Sequence, residues 1–395
     1  MFGEFRVLLI ASSVLAGLSY LTNVFLANEM GPDIFGKYSY ALVLGATMAQ
    51  FISFGTTETG VRIQGKFGME AMDWVLSVRI INFALVSLGV LVALLYEFDP
   101  LLIFGIISAL NALSYSTHYE VQRRNIRYAK VYLIERMMIT ILIWMGILFL
   151  DSNYLIFVFS VLFLVQTGAL IFQIFDNRQF GLNFKPLLLY GVYKEGFFIL
   201  IFSLSKFAYA GGTKIIIFQQ LGSEKLGVFS TAWQFVPLST IFFAQATKAW
   251  RLSITQSVDS RDLDGFTKHI SHLLLAAFGS TGLVCVAFAA FGDELINLLF
   301  SDEYTSAADL MPYIGIYLLV VALDSVAILV AIALSSAKTA GLCYAIFGIG
   351  TASLSLYFSA SQSLETLMIV VIMGHFLAAS SLTFLSLRKL KVVFG

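Results

Sequence analysis

Apolar residues run along this chain in stretches of about twenty, separated by short polar segments. Twelve stretches predict membrane-spanning helices near 6–27, 36–57, 75–96, 101–118, 131–150, 154–174, 195–217, 227–249, 270–291, 310–334, 340–359 and 366–386. Each matches the roughly 20 residues a helix needs to cross a bilayer. The runs are continuous, not alternating, which excludes a membrane β-barrel. Short turns, Glu97–Pro100 and Asp151–Asn153, close the pairs 75–118 and 131–174. The longest gaps, 175–194 and 250–269, are too short to fold as domains. The start, through Arg6, lacks a short apolar segment ending in a small-residue cleavage site, so it reads as a retained first span.

Polar punctuation between these runs repeats. Gly31-Pro-Asp-Ile-Phe-Gly-Lys-Tyr-Ser-Tyr-Ala41 matches Gly222-Ser-Glu-Lys-Leu-Gly-Val-Phe-Ser-Thr-Ala232 in the pattern Gly-x-acid-x-apolar-Gly-x-aromatic-Ser-x-Ala. The two lie 191 residues apart, and the same offset aligns Thr22 with Thr213 and Ser12 with Ser203. Gly31 and Gly222 suit a left-handed helix cap. Pro32 or Ser223 can open the next helix, and Asp33 or Glu224 then sits favourably in its first turn. Gly36 and Gly227 permit close helix approach. The expected fold is therefore an all-α polytopic membrane protein of two parallel six-helix halves, 1–190 and 191–395, with a substrate path between them.

Composition supports that architecture. The chain has 395 residues, 59% hydrophobic and only 12% charged, about half the charge of a soluble domain. A formal net charge of zero hides an asymmetry. Alternate loops carry Arg62 and Lys66; Arg123, Arg124, Arg127 and Lys130; Arg178, Lys185 and Lys194; Lys248, Arg251, Arg261 and Lys268; Lys338; and Arg388, Lys389 and Lys391. The opposite loops hold Lys37 and Lys225 among acids such as Asp293, Glu294, Asp302, Glu303 and Asp309. The positive-inside rule then places both termini in the cytoplasm. Cys285 and Cys343, inside apolar runs, read as small core residues.

Polar residues within spans are the functional candidates. The first span carries Ser12, Ser13, Ser19, Tyr20, Thr22 and Asn23; its repeat partner carries Ser203, Ser205, Lys206, Tyr209, Gly211, Gly212, Thr213 and Lys214. A lysine at the centre of a span costs about 2.5–3.5 kcal/mol and must face water or a partner. Lys206 and Lys214 lie about 12 Å apart along a helix and roughly 80° apart around it, a basic stripe. Arg79 is a further candidate, with snorkelling to the interface as the alternative. Asp324 is either a coupling acid or half of an ion pair with Lys206, and His375 is either a coupling group or a hydrogen-bonded structural histidine. Glu58 is a third coupling candidate, although its i, i+4 spacing from Arg62 favours an ion pair. Arg123, Arg124, Arg127, Lys248 and Arg251 would give the inner mouth a positive rim.

No Gly-rich phosphate loop, nucleophile elbow or Cys/His metal spacing is present. His118, His269, His272 and His375 form no ligand set. The expected protein is a transporter without a cofactor and without a nucleic-acid partner; H+ or Na+ coupling stays open.

Three motifs give the chain a family resemblance: Met30-Gly-Pro-Asp-Ile-Phe-Gly-Lys-Tyr-Ser39, its echo Leu221-Gly-Ser-Glu-Lys-Leu-Gly-Val-Phe-Ser230, and Phe291-Gly-Asp-Glu-Leu-Ile-Asn-Leu-Leu-Phe-Ser-Asp-Glu-Tyr-Thr-Ser-Ala-Ala308. The chain resembles the O-antigen flippases (Wzx type) of the multidrug/oligosaccharidyl-lipid/polysaccharide (MOP) exporter superfamily, with Ser301 where members commonly have Gly. The resemblance implies a MATE-like fold in the bacterial inner membrane. It also implies alternating access around a cationic cavity and undecaprenyl-pyrophosphate-linked oligosaccharide as substrate. A polysaccharide polymerase and a chain-length regulator are implied as partners, beside membrane lipids. Lys206, Lys214 and Arg79 would meet the pyrophosphate; Tyr209, Asn23 and Gln234, with Gln50, Trp233 and Gln245, would meet sugar. A cation-coupled drug exporter is the nearest alternative, and a membrane polymerase or ligase a more distant one; a purely structural scaffold leaves the buried charges unexplained.

Overall fold

The computed structural model describes residues 2–394 except 69, 97–98, 151, 178–181, 183, 335–336 and 362. The side chains of 2–12, 61, 187, 241–246, 248–249, 252, 337–338 and 361 are also outside the description. Ser12, Gln245, Lys248 and Lys338 therefore fall outside the described side chains, and Arg178 outside the described residues.

Among the described residues the chain is helical with no strand. The first half of the order is α1 (Phe2–Ser53), α2 (Thr56–Phe67), α3 (Ala71–Leu95), α4 (Leu101–Ser108), α5 (Ser116–Val121), α6 (Asn125–Ile147), α7 (Tyr154–Asn177) and α8 (Pro186–Phe207). It continues with α9 (Thr213–Leu221), α10 (Ser223–Trp233), α11 (Phe235–Asp259), α12 (Leu263–Leu299), α13 (Met311–Ala333), α14 (Ala337–Phe358) and α15 (Leu364–Phe394). Each predicted span is mainly helical, but 36–57 is interrupted at Phe54–Gly55 and 101–118 at Ser114–Tyr115. Eight stretches are long and apolar enough to cross a membrane by length and composition. The other four predicted spans lie in α1, α6 and α10–α11. Exposed Leu85, Leu88 and Val92 give α3 an outward apolar stripe, and Leu275, Leu283 and Val286 do the same for α12. Faces of that kind are stable against lipid, so this is a multi-pass membrane protein.

The chain divides into two compact units. One comprises Met1–Met30 and Lys37–Leu204; the other comprises Gly31–Gly36 and Ser205–Gly395. In the first, Ile63, Met72, Trp74, Val75, Val78 and Val192 form a core. In the second, α12, α13 and α15 pack together, with Leu273, Val326, Val330 and Leu334 among the buried side chains.

The second unit contains Gly31–Gly36 of the first copy of the repeated motif and the whole of the second copy. Gly31 (φ 68°, ψ 169°) and Gly222 (φ 93°, ψ 172°) adopt nearly the same backbone conformation. The sequence suggested a left-handed cap, but ψ near 170° belongs to a region open essentially to glycine alone. Gly36 and Gly227 explain the rest of the pattern. A Cβ at Gly36 would strike the backbone of Ser223, and one at Gly227 would strike the backbone of Pro32. The contact is reciprocal because Pro32 and Ser223 are themselves repeat equivalents. Ser223 Oγ also donates to Asp33 Oδ1.

Two boundaries differ from expectation. The second predicted span was to reach residue 57, but Phe54 (φ 46°) and Gly55 (φ 69°) break the helix and α2 starts at Thr56. The gap 250–269 is almost entirely helix: α11 runs to Asp259, and Asp262 caps α12 by accepting from Gly265 N at 2.9 Å. Hydropathy marks where a helix leaves the apolar layer, not where it ends.

Candidate functional site

In the second unit, α8 does not pass smoothly into α9. Ala208–Gly212 form a π turn, the single-turn defect that often marks functional positions in helices. It takes up roughly one extra residue, which brings Lys206 and Lys214 nearer to one face than the 80° of a straight helix. Lys206 Nζ donates to Asp324 Oδ2 at 3.0 Å, so the anticipated ion pair is present. Lys206 keeps 38% of its side chain exposed, whereas Asp324 is 1% exposed. His375 Nε2 lies 3.3 Å from the same Asp324 oxygen, and His375 Nδ1 lies 3.2 Å from Tyr317 Oη.

Aromatic rings fix this cluster. Tyr209 stacks on His375 with ring centres 4.7 Å apart, and Lys206 Nζ sits 5.9 Å from the centre of the Tyr344 ring. Trp233 packs 4.9 Å from Tyr317. Among the described residues Asp324 Oδ1 has no hydrogen-bond partner, and neither does either amide atom of Gln234, just after Trp233. A buried carboxylate oxygen without a donor is costly unless a proton, cation or ligand joins it. Lys214 is half-buried in α9 and makes no ion pair among the described residues.

The first unit holds a different arrangement. Ser19, Thr22, Asn23, Tyr38, Ser108, Asn111, Arg136, Thr140 and Gln166 line a cavity of about 180 Å³. Thr22 and Thr140 hydroxyls are 3.1 Å apart. A neighbouring cavity of about 150 Å³ shares Asn111 and Gln166 and adds Ser114, Tyr128, Tyr132, Glu135 and Gln173. Asn23 lines the first of these polar cavities. Arg136 and Glu135 were missed, although a charged pair inside the predicted span 131–150 was a visible signal.

Arg79 is 2% exposed and does not snorkel. Its Nε donates to Thr56 Oγ1 and its Nη1 to Ser114 O, both at 2.8 Å, and its Nη2 reaches Thr117 Oγ1 at 3.1 Å and Thr57 Oγ1 at 3.3 Å. This guanidinium is saturated by hydroxyls and a carbonyl from α2, α5 and the turn before α5.

Glu58 does not pair with Arg62. It is exposed and has no ion pair among the described residues. Arg62 and Lys66 instead bracket Glu195 of α8. Those two cations sit one turn apart on α2, and Glu195, 18% exposed, gains more from two partners than Glu58 would from one. Part of the expected positive rim is likewise neutralised, because Arg124 and Arg127 both bind the buried Asp176.

No family model matches the chain, and no curated protein matches it in sequence. Solved structures do match. An inward-facing multidrug resistance transporter of the MATE family, MOP superfamily, aligns with a TM-score of 0.77 at 11% identity, over 96% of this chain and 95% of that one. The chain has the MATE fold. An outward-facing MATE transporter aligns with a TM-score of 0.64 at 13% identity, over 98% of this chain and 94% of the other. A MOP transporter from Pyrococcus furiosus, described by the reversed polarity of its binding pocket, aligns at 0.59 and 12% identity, over 98% of this chain and 96% of the other. The alignments run almost end to end. The unit 1 cavities and the unit 2 cluster therefore belong to the MATE fold itself, not to an appendage.

Proposed function

We propose that the protein is a flippase that moves an undecaprenyl-pyrophosphate-linked oligosaccharide from the cytoplasmic to the periplasmic leaflet by alternating access. Lys214 is the observation that carries this proposal: a half-buried cation within a spanning stretch, without an ion-pair partner among the described residues. Such a charge favours an anionic ligand. Neutral amides and hydroxyls around the unit 1 cavities suit sugar. The arginine and lysine asymmetry supports an inner-membrane location with both termini cytoplasmic. Deleting the gene should make a lipid-linked oligosaccharide accumulate in the cytoplasmic leaflet. Lys214→Ala should reduce surface polysaccharide with normal amounts of protein in the membrane; undiminished polysaccharide would count against the proposal.

A second function, export of organic cations, is favoured by Asp324 Oδ1, a buried acceptor with no donor. In either case Asp324 is the coupling acid we assign, since a proton arriving there weakens its hold on Lys206. Cells expressing the protein should not extrude ethidium; extrusion that fails in Asp324→Asn would favour the exporter. Transport in vesicles that ignores an imposed pH gradient would remove Asp324 from coupling.

A further inference from the structure

We infer that the paired cavities of the first unit form a recognition site for a sugar joined to phosphate, with Arg136 holding the phosphate and Glu135 the sugar hydroxyls. The substrate class is taken from the flippase function proposed above; the site is a separate matter.

Arg136 lies eleven residues into the 23-residue helix α6, well inside it. Its Nε has no hydrogen-bond partner, and no carboxylate lies within ion-pair distance among the described residues. The guanidinium carbon instead rests 5.0 Å from the centre of the Tyr132 ring. Arg136 also hydrogen-bonds the Tyr132 side chain and lies in the field of Glu135, but these contacts leave its Nε without an acceptor among the described residues. The neutralised basic residues of this unit show the contrast: Arg62, Arg124 and Arg127 each have a carboxylate partner. Arg136 has an open cavity in place of one.

The lining tells which anion fits. Around Arg136 the cavity offers Ser19, Thr22, Asn23, Asn111, Thr140 and Gln166. Gln166 is 4% exposed, and its Oε1 has no donor among the described residues. It borders both cavities, as does Asn111. A simple halide or sulfate site would not need this run of amides and hydroxyls. A carbohydrate would, because each hydroxyl both donates and accepts. Glu135, the residue before Arg136 in α6, is buried and lines the second cavity, so the pair offers an acceptor for sugar hydroxyls beside a donor fork for phosphate. Each cavity is on the scale of a single sugar ring.

Sugar joined to phosphate comes from two sources, a lipid-linked intermediate or a soluble nucleotide sugar. The test therefore uses full-length protein in detergent and three probes: farnesyl-pyrophosphoryl-N-acetylglucosamine, UDP-N-acetylglucosamine and ethidium. Titration calorimetry should show the farnesyl probe binding to wild type. Arg136→Gln should weaken it tenfold or more, and Arg136→Lys should restore part of the loss. Gln166→Leu, a milder change, should weaken it several-fold and keeps the site testable if R136Q does not stay monodisperse. Preferential binding of the nucleotide sugar, still sensitive to R136Q, upholds the site and overturns the lipid-linked substrate. Equal binding of the farnesyl probe by wild type, R136Q and Q166L overturns the site and leaves the flippase function standing. Saturable binding of ethidium with neither sugar probe bound overturns both.

Discussion

Lys206 and Arg136 are both basic side chains well inside spanning helices, yet the molecule treats them in opposite ways. Lys206 is tied to Asp324, and His375, Tyr317, Tyr209 and Tyr344 surround that pair. Arg136 has a ring beside it and a polar cavity in front of it. The difference teaches that burial depth does not separate a structural charge from a ligand-seeking one; the partner does. Removing a residue of the first kind leaves buried charged or polar partners unsatisfied. Removing the second kind leaves no ion-pair partner behind.

Arg79 is the extreme of the first kind and should show the largest effect. Arg79→Met strips Thr56, Thr57, Thr117 and the Ser114 carbonyl of one shared donor. Hydrogen bonds to charged groups are worth about 1.5–3 kcal/mol each and do not add fully, so a loss of about 4 kcal/mol is expected. Thermal unfolding in detergent would register it as a large drop in Tm or as failure to accumulate. A shift of only a degree or two would mean that the hydroxyl cage is decorative.

Asp324→Ala comes next. It leaves Lys206 without its carboxylate and removes an acceptor from His375. Breaking a buried pair costs about 3–5 kcal/mol, and the lower end applies because Lys206 keeps access to water. The sharper form is a cycle. Lys206→Met combined with Asp324→Leu should be more stable than the sum of the single changes predicts, by about 1–2 kcal/mol. Additivity in that cycle would show that the 3.0 Å contact contributes no coupling.

How much of this was legible in the sequence follows from range. Span positions depend on composition over about twenty residues, and all twelve are mainly helical, with breaks at Phe54–Gly55 and Ser114–Tyr115 that composition does not show. The Gly31 and Gly222 motif was legible because a Gly-only backbone leaves a residue signature. Its ψ near 170° was not, since a left-handed cap demands the same residue. Ion pairing was the hard part. The i, i+4 neighbour Glu58 was the local partner for Arg62, but the carboxylate Arg62 binds is Glu195, 133 positions away. The pair of Lys206 and Asp324, 118 positions apart, was legible as one of two readings because each is isolated in an apolar run with few alternatives. Arg136 is hard to read from sequence because it follows a run of loop cations, Arg123 to Lys130, by only six residues, and nothing local separates a span arginine from that basic segment.

The smallest expected effect is the one that tests the comparison most severely. Arg136→Gln should change Tm by no more than a few degrees, a stability change within about 0.5 kcal/mol of zero. No carboxylate within ion-pair distance loses a partner; Glu135 loses a longer-range attraction, and Tyr132 loses a hydrogen bond and a cation–π contact, the latter worth about 0.5–1 kcal/mol where water reaches it. Against that loss stands relief, because a guanidinium with an unpartnered Nε inside a helix bundle is itself costly, and a neutral amide of similar reach is cheaper to hold there. The two contributions oppose each other, so a near-zero sum is the outcome that distinguishes Arg136 from Arg79 and Asp324. A drop as large as theirs would reveal a structural partner and place Arg136 with the saturated charges. A flat melting curve beside a tenfold loss in sugar-phosphate binding is the pairing of results that only a ligand-facing arginine produces.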